Sequence, residues 1–251
     1  MRSLTLTALA GVPEILRGAD LPALIEAALQ RSGVQPQAGD ALVLAQKIVS
    51  KAEGRQVDLR TVTPSAEALR LAPITGKDAR YVEVVLRESR TVLRAVPGVL
   101  VVEDVRGFVT ANAGIDQSNV PGDEQVLLLP LAPQRSAERL RAALRERTGV
   151  DQAVIINDSF GRAWRNGVVG TALGVSGLPA LADLRGQTDR DGRALRTTQV
   201  ALADELAAAG SLVMGQAAEG TPVVHVRGLP HYGSDGSIDD LLRLADKDLF
   251  R

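Results

Sequence analysis

The sequence predicts an α+β fold, with mixed or antiparallel sheets flanked by helices. Two observations lead there. Short apolar runs of strand length recur along the 251 residues and outnumber the βαβ units that can be built from them, which argues against a doubly wound parallel sheet. No internal repeat and no low-complexity linker interrupts the chain.

The elements follow in order. Residues 3–8 alternate Leu and Thr, the period of a half-buried strand. Gly11 and Pro13 break it. Asp20 is an N-cap with Pro22 close behind, and Leu21, Leu24, Ile25, Ala28 and Leu29 form one apolar helix face until Gly33. After the Gly39-Asp40 turn, residues 41–45 (ALVLA) read as a buried strand. It discharges into residues 46–55, a donor-rich segment that taken alone reads as an exposed strand. Residues 65–71 and 78–90 have helical patterns, the second with Tyr81, Val84, Val85 and Glu88 a turn apart. Residues 91–95 and 99–103 are strands across Pro97-Gly98. Residues 108–110 lead into a polar cluster, 111–122.

Residues 126–129 form a short strand, and the connection 130–136 is the best candidate for a boundary. Residues 136–147 form an arginine-rich helix starting at Ser136 and stopped by Gly149. The stretch 154–167, VIINDSFGRAWRNG, reads as a buried strand emptying into a polar loop. Residues 168–179 are small and glycine-spaced, suited to close packing. Residues 183–192 are turn-like. Residues 198–209 are strongly helical up to Gly210, with Asp204 and Glu205 as surface acids. Strands at 212–214 and 222–226 enclose the small-residue loop 215–221. A last helix is expected over 237–246, with Asp239 and Asp240 in its first turn.

Composition narrows the function. Hydrophobic residues make up 45% and charged residues 24%, ordinary for a soluble globular protein, and the net charge of -1 supplies no global field toward nucleic acid or anionic lipid. No apolar run reaches the roughly 18 residues of a membrane helix, and no signal-peptide pattern opens the chain, so a cytoplasmic protein is expected. The absence of cysteine excludes disulfides, thiolate metal sites and a cysteine nucleophile. Two histidines, His225 and His231, leave little for a zinc site or a histidine triad. Any metal should therefore favour oxygen ligands. Lysine is rare: 47, 51, 77 and 247 are the only ones, and two of the four fall within five residues.

Three loops after apolar runs share a composition of small residues with Asp, Asn, Ser or Gln. They hold Asp116 to Asn119, Asp158 with Ser159, and Gln216 to Thr221. Two aspartates with neutral oxygens suit Mg²⁺, and lysines with glycine-rich loops suit phosphate. Neither GxxxxGK[ST] nor GxGxxG occurs. Metal-dependent phosphoryl chemistry, a sugar-phosphate hydrolase and a simple binding module all stay open on these residues alone. So does a plain capped turn at Asp158 with solvated arginines.

The strings GDALVLAQKIVSKAEGR, ANAGIDQSNVP, VIINDSFGRAWRNGVVGTALGVSG, DGRALRTTQVALADELAAA and MGQAAEGTPVVHVRG, in order from about residue 11 to 228, resemble those of the coenzyme F-420-0:L-glutamate ligase family, in its stand-alone form. The resemblance implies a single ligase unit over 1–251, or two intimate subdomains divided near 130–136. It implies γ-linked addition of L-glutamate to the deazaflavin precursor F-420-0 by a homodimer, using GTP and Mg²⁺ or Mn²⁺, with a monovalent cation such as K⁺ as a further candidate. An acyl-phosphate intermediate is the expected route. Asp116, Asp158, Ser159 and Gln216 are implied as metal ligands, with Ser159 where the family often has Thr. GTP contacts are implied for Val12, Pro13, Glu14 and Ile15, for Gln46, Lys47, Lys51 and Asn119, and for Met214, Gly215, Gln216, Ala217, Ala218, Glu219, Gly220 and Thr221. Lys51 is the expected charge stabiliser. Arg162 and Arg165 are assigned, on this chain's own charge pattern, to an anionic group of the substrate, or else to packing around Trp164. The rival functions are a metal-dependent nucleotide phosphohydrolase, a non-catalytic deazaflavin or nucleotide binder, and a ligase acting on another acid.

Overall fold

Capping starts the first helix where the sequence places it: the Asp20 carboxylate accepts from the Ala23 amide at 3.1 Å, and Pro22 occupies the first turn. The computed structural model describes residues 3–118, 120, 122–231 and 235–248. In chain order, β1 (Thr5–Ala8) leads to α1 (Leu21–Arg31), β2 (Ala41–Ala45) and α2 (Gln46–Ala52). Then come β3 (Gln56–Asp58), α3 (Ala66–Thr75), α4 (Ala79–Arg87), and the strands β4 (Ser89–Val96), β5 (Val99–Asp104), β6 (Val109–Ala111) and β7 (Gln125–Leu127). Helix α5 (Pro133–Thr148) precedes the long strands β8 (Ala153–Arg162) and β9 (Arg165–Ser176). Short strands β10 (Ala182–Asp183) and β11 (Gln199–Val200), helix α6 (Leu202–Met214) and β12 (Val223–Arg227) complete the elements, with 3-10 turns between and after them.

Five strands form one mixed sheet in the order β1-β12-β2-β8-β9, in which only β2 and β8 run parallel. β2 is central and reads as a continuous apolar run because it is covered on both faces. Around this sheet α1, α5 and α6 bury one core, including Ile25, Leu42, Leu44, Ile155, Leu140 and Leu206. A second core lies between residues 59 and 128, built from Leu71, Tyr81, Val85, Leu100, Val102 and Val126 on α3, α4, the antiparallel β4-β5-β6 sheet and the β3-β7 pair. The class is α+β, as the sequence predicts. Guanidinium groups stitch the chain where it returns to the first core. Arg55 donates to the Leu129 carbonyl at 2.9 Å and Arg106 to the Pro130 carbonyl at 2.8 Å, and both pair with Glu88.

Several elements differ from the sequence expectation. Residues 46–52 are helix, with Gln46, Ser50 and Lys51 buried, rather than exposed strand. Ile48, Val49 and Ala52 form a helical apolar stripe that the polar composition masks. β8 does not empty into a loop at Asn157. It runs on to Arg162 because β9 pairs with it throughout, and it turns only at Ala163 and Trp164, the latter at φ 64°. α5 begins at Pro133, and Ser136 donates to Glu53 at 2.5 Å instead of capping. α6 passes through Gly210, where a side chain would sit 2.8 Å from Val43, so residues 212–214 are its last turn and not a strand. α6 also lies against β9 at Gly170, where a Cβ would come within 2.4 Å of the Ala207 carbonyl oxygen. Residues 237–246 form two 3-10 turns, Ile238–Leu241 and Ala245–Lys247, rather than one helix.

Candidate active site

A cleft opens where β2 ends. The last β2–β8 pair is Ala45 with Asn157, and beyond it β8 continues with β9 on one side only. α2 leaves at Gln46 and carries Lys47 and Lys51 four residues apart, on one face. Lys47 Nζ lies 3.2 Å from Asp116 Oδ2 and donates to Ser118 Oγ at 2.8 Å, and Ser118 donates to Asp116 Oδ1 at 3.2 Å. Lys51 Nζ lies 2.5 Å from Glu14 Oε1.

Asp116 arrives on a contorted approach. Asn112, Ala113 and Gly114 take φ values of 53°, 55° and 66°, a left-handed turn that is costly for the first two. The turn is held in place from three directions. Leu100 donates to Asn112 Oδ1, Tyr81 donates to the Ile115 carbonyl at 3.2 Å, and Asp116 exchanges both backbone hydrogen bonds with Leu127. Burial and the Asp116 charge push the Tyr81 hydroxyl up to about 12, so it stays a donor.

β8 supplies the opposite wall, where Asp158 and Ser159 both line the cleft. Burial, then the Asp116 carboxylate, push Asp158 up to about 7, against the Ser159 amide and Lys47. Ser159 Oγ donates to Gln216 Oε1 at 2.7 Å, and Gln216 Nε2 donates to Ser211 at 2.7 Å, which ties the loop after α6 to β8. Asn157 Oδ1 and Gln46 Nε2 are buried with no hydrogen-bond partner among the described residues, so the cleft floor holds an acceptor and a donor uncommitted to protein.

Val12, Pro13, Glu14, Ile15, Gln46, Lys47, Lys51, Asp116, Asp158, Ser159 and all of residues 214–221 line this one cleft, of about 770 Å³. Asn119 lies outside the described residues. Arg162 lines an adjoining cavity of about 570 Å³ that shares Phe160 and Gly161 with the cleft. Arg165 is exposed on the β8–β9 hairpin and lines neither. Trp164 is 86% exposed. Sequence reasoning missed Asn157 and Phe160 as cleft residues. It also placed Asp204 on the surface, whereas Asp204 accepts from the Ala172 amide at 2.9 Å and its carboxyl is raised by burial. Among the described residues no three Asp, Glu or His side chains gather at one point, so any ion would rest on two carboxylates and neutral oxygens.

Comparison with known proteins assigns the family. The pattern of the F420-0:Gamma-glutamyl ligase family matches residues 11–228. The chain belongs to that family. Within it, the chain is 48% identical to a protein of Methanothermobacter thermautotrophicus named coenzyme F420:L-glutamate ligase, over 99% of each. A protein of the same name from Methanopyrus kandleri is 49% identical over 85% of this chain and 86% of its own length. Another, from Natronomonas pharaonis, is 47% identical over 96% and 92%. The chain is accordingly a ligase, and the cleft, enclosed by segments spread over most of the matched region, is its candidate active site. No helix among the described residues is long and apolar enough to cross a membrane.

Proposed function

We propose that this ligase adds L-glutamate to coenzyme F-420-0 in building a γ-glutamyl tail, using GTP and a divalent metal by way of an acyl phosphate. The observation that carries the reading is the convergence of Asp116, Asp158, Lys47 and Lys51 from three separate segments on one cleft. Asp158 is raised by burial and by the Asp116 charge, and the uncommitted Asn157 oxygen adjoins Asp158 in sequence. That donor set fits Mg²⁺ or Mn²⁺, which take one or two carboxylates and keep several waters. Asp116 and Asp158 would hold the ion, with Ser159 Oγ and Gln216 Oε1 as neutral donors, and the bound ion would neutralise phosphate charge.

The chain's own residues position and neutralise. Lys47 and Lys51 receive phosphate oxygens, and the turn over residues 12–15 and the loop 214–221 enclose the nucleotide, with Asn119 as a further contact. A carboxylate oxygen of F-420-0 attacks the γ-phosphorus, and the bond to the β-phosphate bridging oxygen breaks to leave GDP. The neutral glutamate amine then attacks the acyl carbon, the bond to the phosphate oxygen breaks, and the ammonium proton passes to solvent. Arg162, from the adjoining cavity, meets an anionic group of the acid substrate, with Arg165 further out on the hairpin. The working form in this reading is a homodimer. Incubation with F-420-0, GTP, Mn²⁺ and L-glutamate, followed by mass spectrometry, is expected to show a glutamyl increment. Its absence rejects the ligation, and phosphate release without either acid marks a phosphohydrolase instead.

A further inference from the structure

Two carboxylates of this chain already sit on donors that the nucleotide reading assigns to phosphate. The first is Glu14. Its side chain is 64% exposed, yet Oε1 lies 2.5 Å from the Nζ of Lys51, whose own side chain is only 10% exposed. The neighbouring Ile15 is buried and anchors the turn, while Glu14 itself reaches outward from it. The second is Glu219. Its Oε2 accepts from the Ala217 amide at 2.8 Å. The amides of Glu219 itself, Ala217 and Gln216 together hold its carboxyl below the usual range. Gly215, at φ 79°, makes room for it: a Cβ there would lie 2.3 Å from the Glu219 carboxyl carbon. The loop after α6 is therefore wrapped around an anion, and that anion is its own side chain. Successive backbone amides turned toward one point form a concavity that suits an oxyanion.

We infer that Glu14 and Glu219 are in-cis stand-ins for phosphate: a triphosphate binds by displacing both carboxylates, and they return to their donors when product leaves. The inference rests on the nucleotide reading of the cleft. Both residues line the same cleft as Lys47 and Asp116. Both are exposed enough to swing into water without opening a cavity. The exchange keeps the donors satisfied in either state, which matters because charged donors left unpaired are costly. It also lowers affinity for every phosphate ligand, because each must replace an existing charge-assisted contact. A loop staple with no such role would leave ligand affinity alone, and a purely electrostatic effect would depend on charge and not on reach.

Glu219→Asp and Glu14→Asp separate these cases, since each keeps the charge and withdraws the carboxylate by one methylene. The full chain is titrated calorimetrically with inorganic tripolyphosphate in Mg²⁺ buffer, without F-420-0 or glutamate. Thermal melts of the same samples verify folding. Each aspartate variant is expected to bind tripolyphosphate roughly five- to tenfold more tightly than the wild type. The neutral Glu219→Gln and Glu14→Gln variants are expected to bind at least as tightly. Tightening in the glutamine variants alone overturns the inference in favour of general charge repulsion. Unchanged or weaker binding in the folded aspartate variants overturns it outright, as does the absence of tripolyphosphate binding in all forms. Because no acid substrate is present, a failed ligation assay leaves this result standing, and the two readings fall separately.

Discussion

At the N-terminal end of β2, Asp40 is 3% exposed and satisfied on every side. Arg227 donates to it at 2.6 and 3.0 Å, His225 Nε2 lies 2.8 Å away, and the Gln37 amide donates at 2.8 Å. Burial pushes its carboxyl up, but Arg227, His225 and the Gln37 amide outweigh that and leave it below the usual range. Past the C-terminal end of the same strand, Asp158 of β8 is raised to about 7 by burial and by a second acid, with two buried amide atoms unpartnered among the described residues. Beyond one end of β2 lies an acid fully committed within the protein, and beyond the other lies Asp158, raised by burial and by a second acid. The difference separates structure from chemistry: a group fully committed within the protein stabilises it, and a group left short of partners is available to a ligand.

Three measurements test that contrast, from the largest effect to the smallest. Asp116→Asn and Asp158→Asn are expected to lower ligation by about 100-fold or more, with melting temperatures unchanged or raised because two facing carboxylates become one. Near-wild-type turnover in either variant would break the functional half of the contrast. Asp40→Asn should do the reverse. Loss of one member of a buried charge cluster is expected to cost about 3 kcal/mol of stability in denaturant titration, while turnover of the folded fraction is kept. The acid side sharpens this. Asp40 has a depressed folded value, so its contribution is present above the ordinary 3.8 and disappears as pH falls through the folded value. The stability difference between wild type and Asp40→Asn should therefore shrink below pH 4. Third, Mn²⁺ at about 100 times its Kd should raise wild-type stability by about 2.7 kcal/mol. The same addition should stabilise Asp40→Asn equally and Asp116→Asn hardly at all, as read by thermal melts.

The contrast also marks what the sequence could convey. β2 and the cap of α1 were legible to the residue, because a five-residue apolar run and an Asp-Leu-Pro start are local signals. α2, the length of β8 and the passage of α6 through Gly210 were not, because each is decided by a partner distant in sequence: the covering core, β9 and Val43 respectively. At the site, residue types in three segments pointed to oxygen ligands and phosphate donors, and the family strings named positions. Their gathering into one cleft, the unpartnered Asn157 oxygen, and the Glu219 carboxylate inside its own loop depend on contacts across more than 40 residues or on loop geometry, which no local pattern encodes.

The two aspartates of the cleft belong to different cores. Asp116 follows the left-handed turn of the second core, and Asp158 lies on the strand that runs through the first. A ligand held between them would be gripped from both cores as by a caliper, with the Arg55, Glu88 and Arg106 contacts at the joint. A grip of that kind transmits load in both directions: filling the cleft should slow amide exchange in α4 and β5, whose Tyr81 and Leu100 hold the turn before Asp116, and loosening the joint should widen the jaws.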